Sequence, residues 1–430
     1  MMKLRHAVAP LLLALPLLAS CYDDGKLNSP PAPEVPAGGA LFQRYVAMGN
    51  SISAGFQSGG INDSTQQRAF PVLLAAAAGA DFTIPHLNMP GCPSPYVNNV
   101  TRTHVGGIPD ASYRSICFGR VSNTGAINNV AVPGAGVEDM FSNFATPVSI
   151  YEQLSAFFLG GRTEIEAMQD ARPTLVSLEM GPNDVLGALL SDVNVGNPAE
   201  ITAPATFESA YLALLDSIDA VSPQGVAVFT VPDVTVIPYA SSGATYWCLR
   251  QGVCPGVPQQ LPNGLTVNNN CAPAAVVPGA KGDSTLIPWS KGLPKVFAAA
   301  QGAPGQVIDC SAAADADVVL PAEYAAMRNA VVAFNTVIRD EATARGYAVV
   351  DMNAILIAAR TAGLIPPFPN TAAVGTGGPV TFGPFISLDG FHPTSAAHRI
   401  LADSLASALN HTYGTTLPVP VCTGSLCPAP

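Results

Sequence analysis

Apolar and polar positions along the chain fall into blocks whose period changes. The runs Tyr45–Met48, Thr174–Met180, Gly225–Val231 and Tyr347–Asp351 are short and mostly apolar. The first two are stopped by Gly49 and Gly181, and the third by Pro232-Asp233. Such runs predict strands buried on both faces. Between them the spacing becomes helical, over Gln67–Ala78, Thr206–Val221, Ala322–Arg345 and Thr394–Asn410. Phe207, Tyr211, Leu214, Leu215 and Ile218 share one helix face, as do Leu401, Leu405 and Leu409. Strands alternating with helices predict an α/β fold, a three-layer α/β/α sandwich around a central parallel sheet.

Three stretches break this pattern. Met1–His6 carries Lys3 and Arg5, and the apolar run Ala7–Ala19 follows, too short to span a bilayer but suited to a secretory signal. It ends Leu18-Ala19-Ser20-Cys21, which resembles the lipobox of bacterial lipoproteins. That resemblance implies cleavage after residue 20 and a lipid on the Cys21 thiol; an ordinary signal peptide with an incidental cysteine is the alternative. Residues 21–41, rich in Pro and Gly, read as a tether, with order expected near Phe42, a folded domain over 42–412 and a tail over 413–430. Between about 236 and 320 the chain turns to Pro, Gly and Asn with four cysteines, too long for a plain connection. It is expected to be a disulfide-rich insertion over the site that shapes substrate choice, or else a surface excursion.

Composition narrows the class. Of 430 residues 48% are hydrophobic and 11% charged, enough for a large core, and the formal charge of −11 with no basic run excludes nucleic acid as a partner. With Cys21 lipidated, eight cysteines remain: Cys92, Cys117, Cys248, Cys254, Cys271, Cys310, Cys422 and Cys427. An even number in an exported chain predicts disulfides, with sequence neighbours as the first pairing to expect. No C-x-x-C occurs and no His stands at ligand spacing from a Cys, so neither a metal nor another cofactor is expected.

Ligands of open parallel sheets bind beyond the carboxyl ends of the strands. Four blocks bring polar groups there. Gly49-Asn50-Ser51-Ile52-Ser53-Ala54-Gly55 follows the first strand and turns a serine hydroxyl toward the cleft, or else caps the next helix. Gly181-Pro182-Asn183-Asp184 follows the second predicted strand and offers an amide donor, or a turn. Asn129-Val130-Ala131-Val132-Pro133-Gly134-Ala135-Gly136 has glycines that let backbone N–H groups approach a ligand. Leu388-Asp389-Gly390-Phe391-His392-Pro393 opens the last helix, with Asp389 near enough to orient the imidazole of His392. His398, inside that helix, is expected on its surface, and His86, His104 and His411 have no partner motif.

In this order the four blocks resemble the SGNH subgroup of the GDSL esterase/lipase family. The resemblance covers about Tyr45–Leu409 and is specific only at the motifs. It implies a flavodoxin-like α/β/α fold and a serine ester hydrolase with Ser51 as nucleophile and Asp389 and His392 completing a triad. The same resemblance implies an oxyanion hole from Ser51, Gly134 and Asn183, with Gly136 the competing glycine. One departure is Gly-Asn-Ser where the family has Gly-Asp-Ser. No Gly-x-Ser-x-Gly occurs, which argues against the α/β-hydrolase elbow. The expected substrate is a small-molecule or lipid ester, with a lean toward acyl lipids. The expected location is the bacterial envelope, lipid-anchored, the outer membrane being favoured by Tyr22 after Cys21. An acyltransferase using the same triad, or a non-catalytic binding lipoprotein on the same scaffold, are the alternatives.

Overall fold

The computed structural model describes residues 38–110, 126–144, 150–254 and 260–420. The expected signal peptide 1–20, the lipidated Cys21, most of the tether, and Cys117, Cys422 and Cys427 lie outside the described residues. The folded part is under way before Phe42: Leu41 and Phe42 are both buried, and the Gly38 N–H donates to the Ala78 carbonyl at 3.0 Å.

Four parallel strands form the central sheet: β1 (Tyr45–Gly49), β2 (Leu175–Glu179), β3 (Gly225–Phe229) and β4 (Ala348–Val350), side by side in that order. Every residue of β1, β2 and β3 is buried, as a sheet covered on both faces requires. A further segment runs parallel to β1 on its free side. Ala47 donates to the Asn128 carbonyl at 2.8 Å, and Val130 and Val132 donate to the carbonyls of Ala47 and Gly49 at 2.9 and 3.1 Å. Counted with this edge, the sheet runs second, first, third, fourth, fifth in chain order, the flavodoxin-like arrangement. The strand order therefore reverses at β1, and the crevice at its carboxyl end lies at the topological switch point.

Helices cover both faces. Phe70–Ala78 and Ser395–Tyr413 pack together, the latter also on β3 and β4, while Pro204–Asp219 and Pro321–Arg345 pack together and the latter on the same two strands. The fold is the expected three-layer α/β/α sandwich. Elements not anticipated are the helices Ile150–Leu159, Glu164–Ala171, Asn183–Leu190 and Met352–Thr361. Glu164–Ala171 starts with a capping box, Thr163 accepting from the Glu166 N–H and Glu166 from the Thr163 N–H, a signal present in the sequence.

The 236–320 stretch is more regular than its composition suggests. It contains the helices Gly243–Gln251 and Trp289–Ala300 and two small two-stranded sheets. Pro294 lies inside the second helix, one reason the helical pattern was masked. Disulfides join Cys248 to Cys254 and Cys271 to Cys310, both sequence neighbours among the cysteines. Tyr246, Leu249, Leu265 and Leu293 are buried in the same continuous core as the sheet, so this stretch is integral to the domain.

Candidate active site

Ser51 is the first residue of a single helical turn, Ser51–Ala54, directly after β1. Gly49 makes that turn possible: its φ is +143°, and a Cβ there would lie 2.3 Å from the Glu179 carbonyl oxygen. Asn50 caps the turn, its Oδ1 accepting the Ile52 N–H at 3.1 Å. Ser51 is buried at 8% exposure, and its own N–H has no protein acceptor among the described residues.

The loop before the last helix meets this serine across 341 positions of sequence. His392 Nε2 lies 2.8 Å from Ser51 Oγ, and His392 Nδ1 lies 2.9 Å from Asp389 Oδ2. Gly390, between them, adopts φ +88°, which lets Asp389 fold back. The carboxylate is held by four further donors: the N–H groups of His392 (2.9 Å), Phe391 (3.1 Å) and Gly59 (2.7 Å), and Ser387 Oγ (3.2 Å). Burial alone would raise the Asp389 pKa, but the charge and hydrogen bonds of His392 with the backbone donors hold it below the usual carboxylate range. An acceptor-only carboxylate fixes the proton on Nδ1 and leaves Nε2 to accept from the serine hydroxyl. Phe56 and Phe391 rings lie 4.8 and 4.4 Å from the imidazole and shield it from water. Gly59, Ser387 and Phe56 were not singled out by sequence reasoning; Ser387 stands two residues before Asp389, where its role could have been suspected.

Asn183 opens the helix after β2, and its Nδ2 donates to the Ala135 carbonyl at 2.9 Å, which leaves a second N–H on that amide. This bond ties the turn after β2 to the loop carrying Gly134. The Gly136 N–H is occupied by Asp139 Oδ2 at 2.8 Å, whereas the Gly134 N–H has no acceptor among the described residues. Of the two glycines, Gly134 is the one with a donor to spare.

Other histidines differ from expectation. His398 is fully buried, its Nδ1 accepting the Phe70 N–H at 3.3 Å, and burial pushes its pKa down to about 3, so it is a neutral core residue and not a surface one. His86 is paired with Asp63, and His104 with the Ser94 carbonyl and Asp110.

Three buried carboxyls surround the cleft. Glu164 accepts the N–H groups of Gly49 and Val132 at 3.1 and 3.0 Å, stapling β1 to the edge segment. Glu179 accepts Asn50 Nδ2 at 3.1 Å and Ser53 Oγ at 3.4 Å. Asp184 accepts the Val137 N–H at 3.1 Å. In all three, burial raises the pKa and the donors only partly offset it: Glu164 lies well above its ordinary value, Glu179 is pushed up to about 8 and Asp184 to about 6. Each folded-state pKa exceeds its unfolded value, so the native state binds protons that the unfolded chain releases. Their stabilisation is complete below about pH 4.5 and is lost as pH rises, through about 6 for Asp184 and about 8 for Glu179. Above about pH 6.5, where the buried His398 no longer changes stability with pH, the urea midpoint is expected to fall up to about pH 8.5. Glu179→Gln, which cannot ionise, should lose less over that interval; equal losses in the two proteins would contradict this origin.

Comparison with known proteins sets this geometry in context. Among solved structures the chain is similar to an acetylxylan esterase from Geobacillus stearothermophilus, at 11% identity and a TM-score of 0.35, covering 87% of this chain and 95% of that one. It is also similar to an alpha/beta hydrolase enzyme from the metagenome of Lake Arreo, Spain, at 14% identity and a TM-score of 0.34, covering 86% and 94%. Both likenesses are too loose to bear on the chemistry. A search among curated proteins finds no significant match. The model of the GDSL-like lipase/acylhydrolase family matches residues 45–405, and the chain belongs to that family.

Proposed function

We propose that this protein hydrolyses carboxylic esters through an acyl-enzyme on Ser51. The observation that carries the reading is the continuous hydrogen-bond chain from Ser51 Oγ through His392 to Asp389 at the switch point of the sheet. A serine hydroxyl is a weak nucleophile and needs a base within reach. In the proposed reaction His392 Nε2 takes the hydroxyl proton as Oγ attacks the ester carbonyl carbon. The Ser51 and Gly134 N–H groups and the Asn183 amide receive the negative oxygen. As the tetrahedral species collapses, the alcohol leaves with the proton from His392, and water repeats the cycle to free the acid. Asp389 steadies the imidazolium and keeps its own charge.

We assign the acyl group to a cavity of about 40 Å³ among residues adjoining Ser51 and His392 in sequence. Ile52, next to Ser51, and Phe391 and Pro393, on either side of His392, line it with Ile237, Leu356 and Phe385. Every lining residue is apolar, which suits a hydrocarbon, and the small volume points to short acyl groups rather than the long chains of acyl lipids. We further propose export and anchoring to an envelope membrane through a lipid on Cys21.

Protein lacking residues 1–21 is expected to be labelled by a fluorophosphonate probe, and Ser51→Ala is not; a folded wild type that resists labelling would leave a binding lipoprotein as the better reading. Asn183→Ala should fold and lose roughly 10²–10³ in turnover, as for other single oxyanion donors, and near-wild-type turnover would remove Asn183 from that role. Across p-nitrophenyl esters, kcat/KM should peak at acetate to butyrate and fall at laurate, with Ile237→Ala moving the optimum to longer chains. A laurate optimum in the wild type would place the acyl group elsewhere.

A further inference from the structure

Glu179 is the last residue of β2, directly across from Gly49 in the parallel register, and is 1% exposed. A carboxyl inside a strand whose other residues are aliphatic or small needs donors, and all of its donors come from the turn that carries the nucleophile. They are Asn50 Nδ2 at 3.1 Å, Ser53 Oγ at 3.4 Å, and the backbone N–H groups of Asn50 and Ser53. Asn50 faces two ways. Its Nδ2 points to Glu179, while its Oδ1 accepts the Ile52 N–H and lies 3.5 Å from Ser51 Oγ.

An amide has two nearly isosteric orientations, and only its hydrogen-bond partners choose between them. The groups of the turn that reach Glu179 are donors, so its Oε1 serves as an acceptor and demands the NH₂ group of Asn50. The flipped amide would set its oxygen against Glu179 and its NH₂ against the Ile52 N–H, losing both bonds in a buried site. We propose that Glu179 is a positioning residue for the nucleophile: it fixes the orientation of Asn50, whose Oδ1 then starts the helical turn that aims Ser51 at His392. The inference rests on Ser51 being the nucleophile.

The same geometry accounts for Gly-Asn-Ser in place of Gly-Asp-Ser. An aspartate at position 50 would face Glu179 at hydrogen-bond distance in a buried pocket, and two carboxyls so placed must share a proton. Glu164, which accepts the Gly49 N–H, is already a second buried carboxyl close to this turn. With Glu179 in place, the amide at 50 is the compatible partner.

The test is a swap in the full-length chain, comparing wild type, Glu179→Gln, Asn50→Asp and the double variant. The readouts are the fluorophosphonate labelling rate, kcat and KM on a p-nitrophenyl ester, and thermal midpoints. Each single variant is expected to label and turn over about 10- to 100-fold more slowly, the scale of a small misplacement of a reacting group, with KM within about twofold. The double variant restores one acid and one amide in reverse order and should recover kcat to within about threefold of wild type, a non-additive rescue that a purely stabilising role would not give. Should Glu179→Gln not fold, Asn50→Asp against the double variant carries the same comparison. Wild-type kcat and labelling in folded Glu179→Gln, or a double variant no faster than Asn50→Asp, would overturn the proposal while leaving Ser51 as nucleophile. Failure of the wild type to label would overturn both.

Discussion

The site depends on where β1 lies in the sheet. Because the edge segment pairs on one side of β1 and β2 on the other, the chain leaving β1 has a neighbouring strand end on each flank. Gly134 follows one, Asn183 follows the other, and Ser51 stands between them. The hydrogen bond from Asn183 to the Ala135 carbonyl and the Glu164 staple between Gly49 and Val132 brace this arrangement across the gap. The helix Ser395–Tyr413, packed on β3 and β4, then brings His392 over from the far side.

Burial of acids near the cleft is the cost of bracing it. A buried carboxyl group beside the strand ends can accept two backbone N–H groups at once. Glu164 and Glu179 each do so, which keeps the turn around Ser51 rigid without any contact to the reacting atoms.

The central strands and four of the long helices were legible because their residues declare themselves locally: Val46, Ala47 and Met48 are apolar in succession, and Gly49 ends the run. The contact between Asp389 and His392 was legible for a different reason, since the two sit three residues apart and carry their own geometry. Glu164 and Glu179 gave no such notice. A glutamate becomes a staple only when N–H groups from residues 49, 50, 53 and 132 converge on it, and that convergence is a property of the sheet. Glu179 did leave one trace, as the single charged residue in the run Thr174–Met180. The Trp289–Ala300 helix was obscured by Gly292 and Pro294, and the Glu164–Ala171 helix by its mixed polarity, where tertiary packing outweighs local pattern. His398 was misplaced because its apolar surroundings come from Phe70, more than three hundred residues away.

The 341 positions between Ser51 and His392 bear on how the protein comes into being. On the proposed reading, nucleophile and base meet only through the fold, since nothing in the chain near Ser51 can replace the ring that docks there. Until the helix Ser395–Tyr413 has docked on the sheet, Ser51 lacks the His392 nitrogen beside it, so a partly folded chain would hold the proposed nucleophile without its proposed base. The proposed chemistry would therefore depend on completed folding.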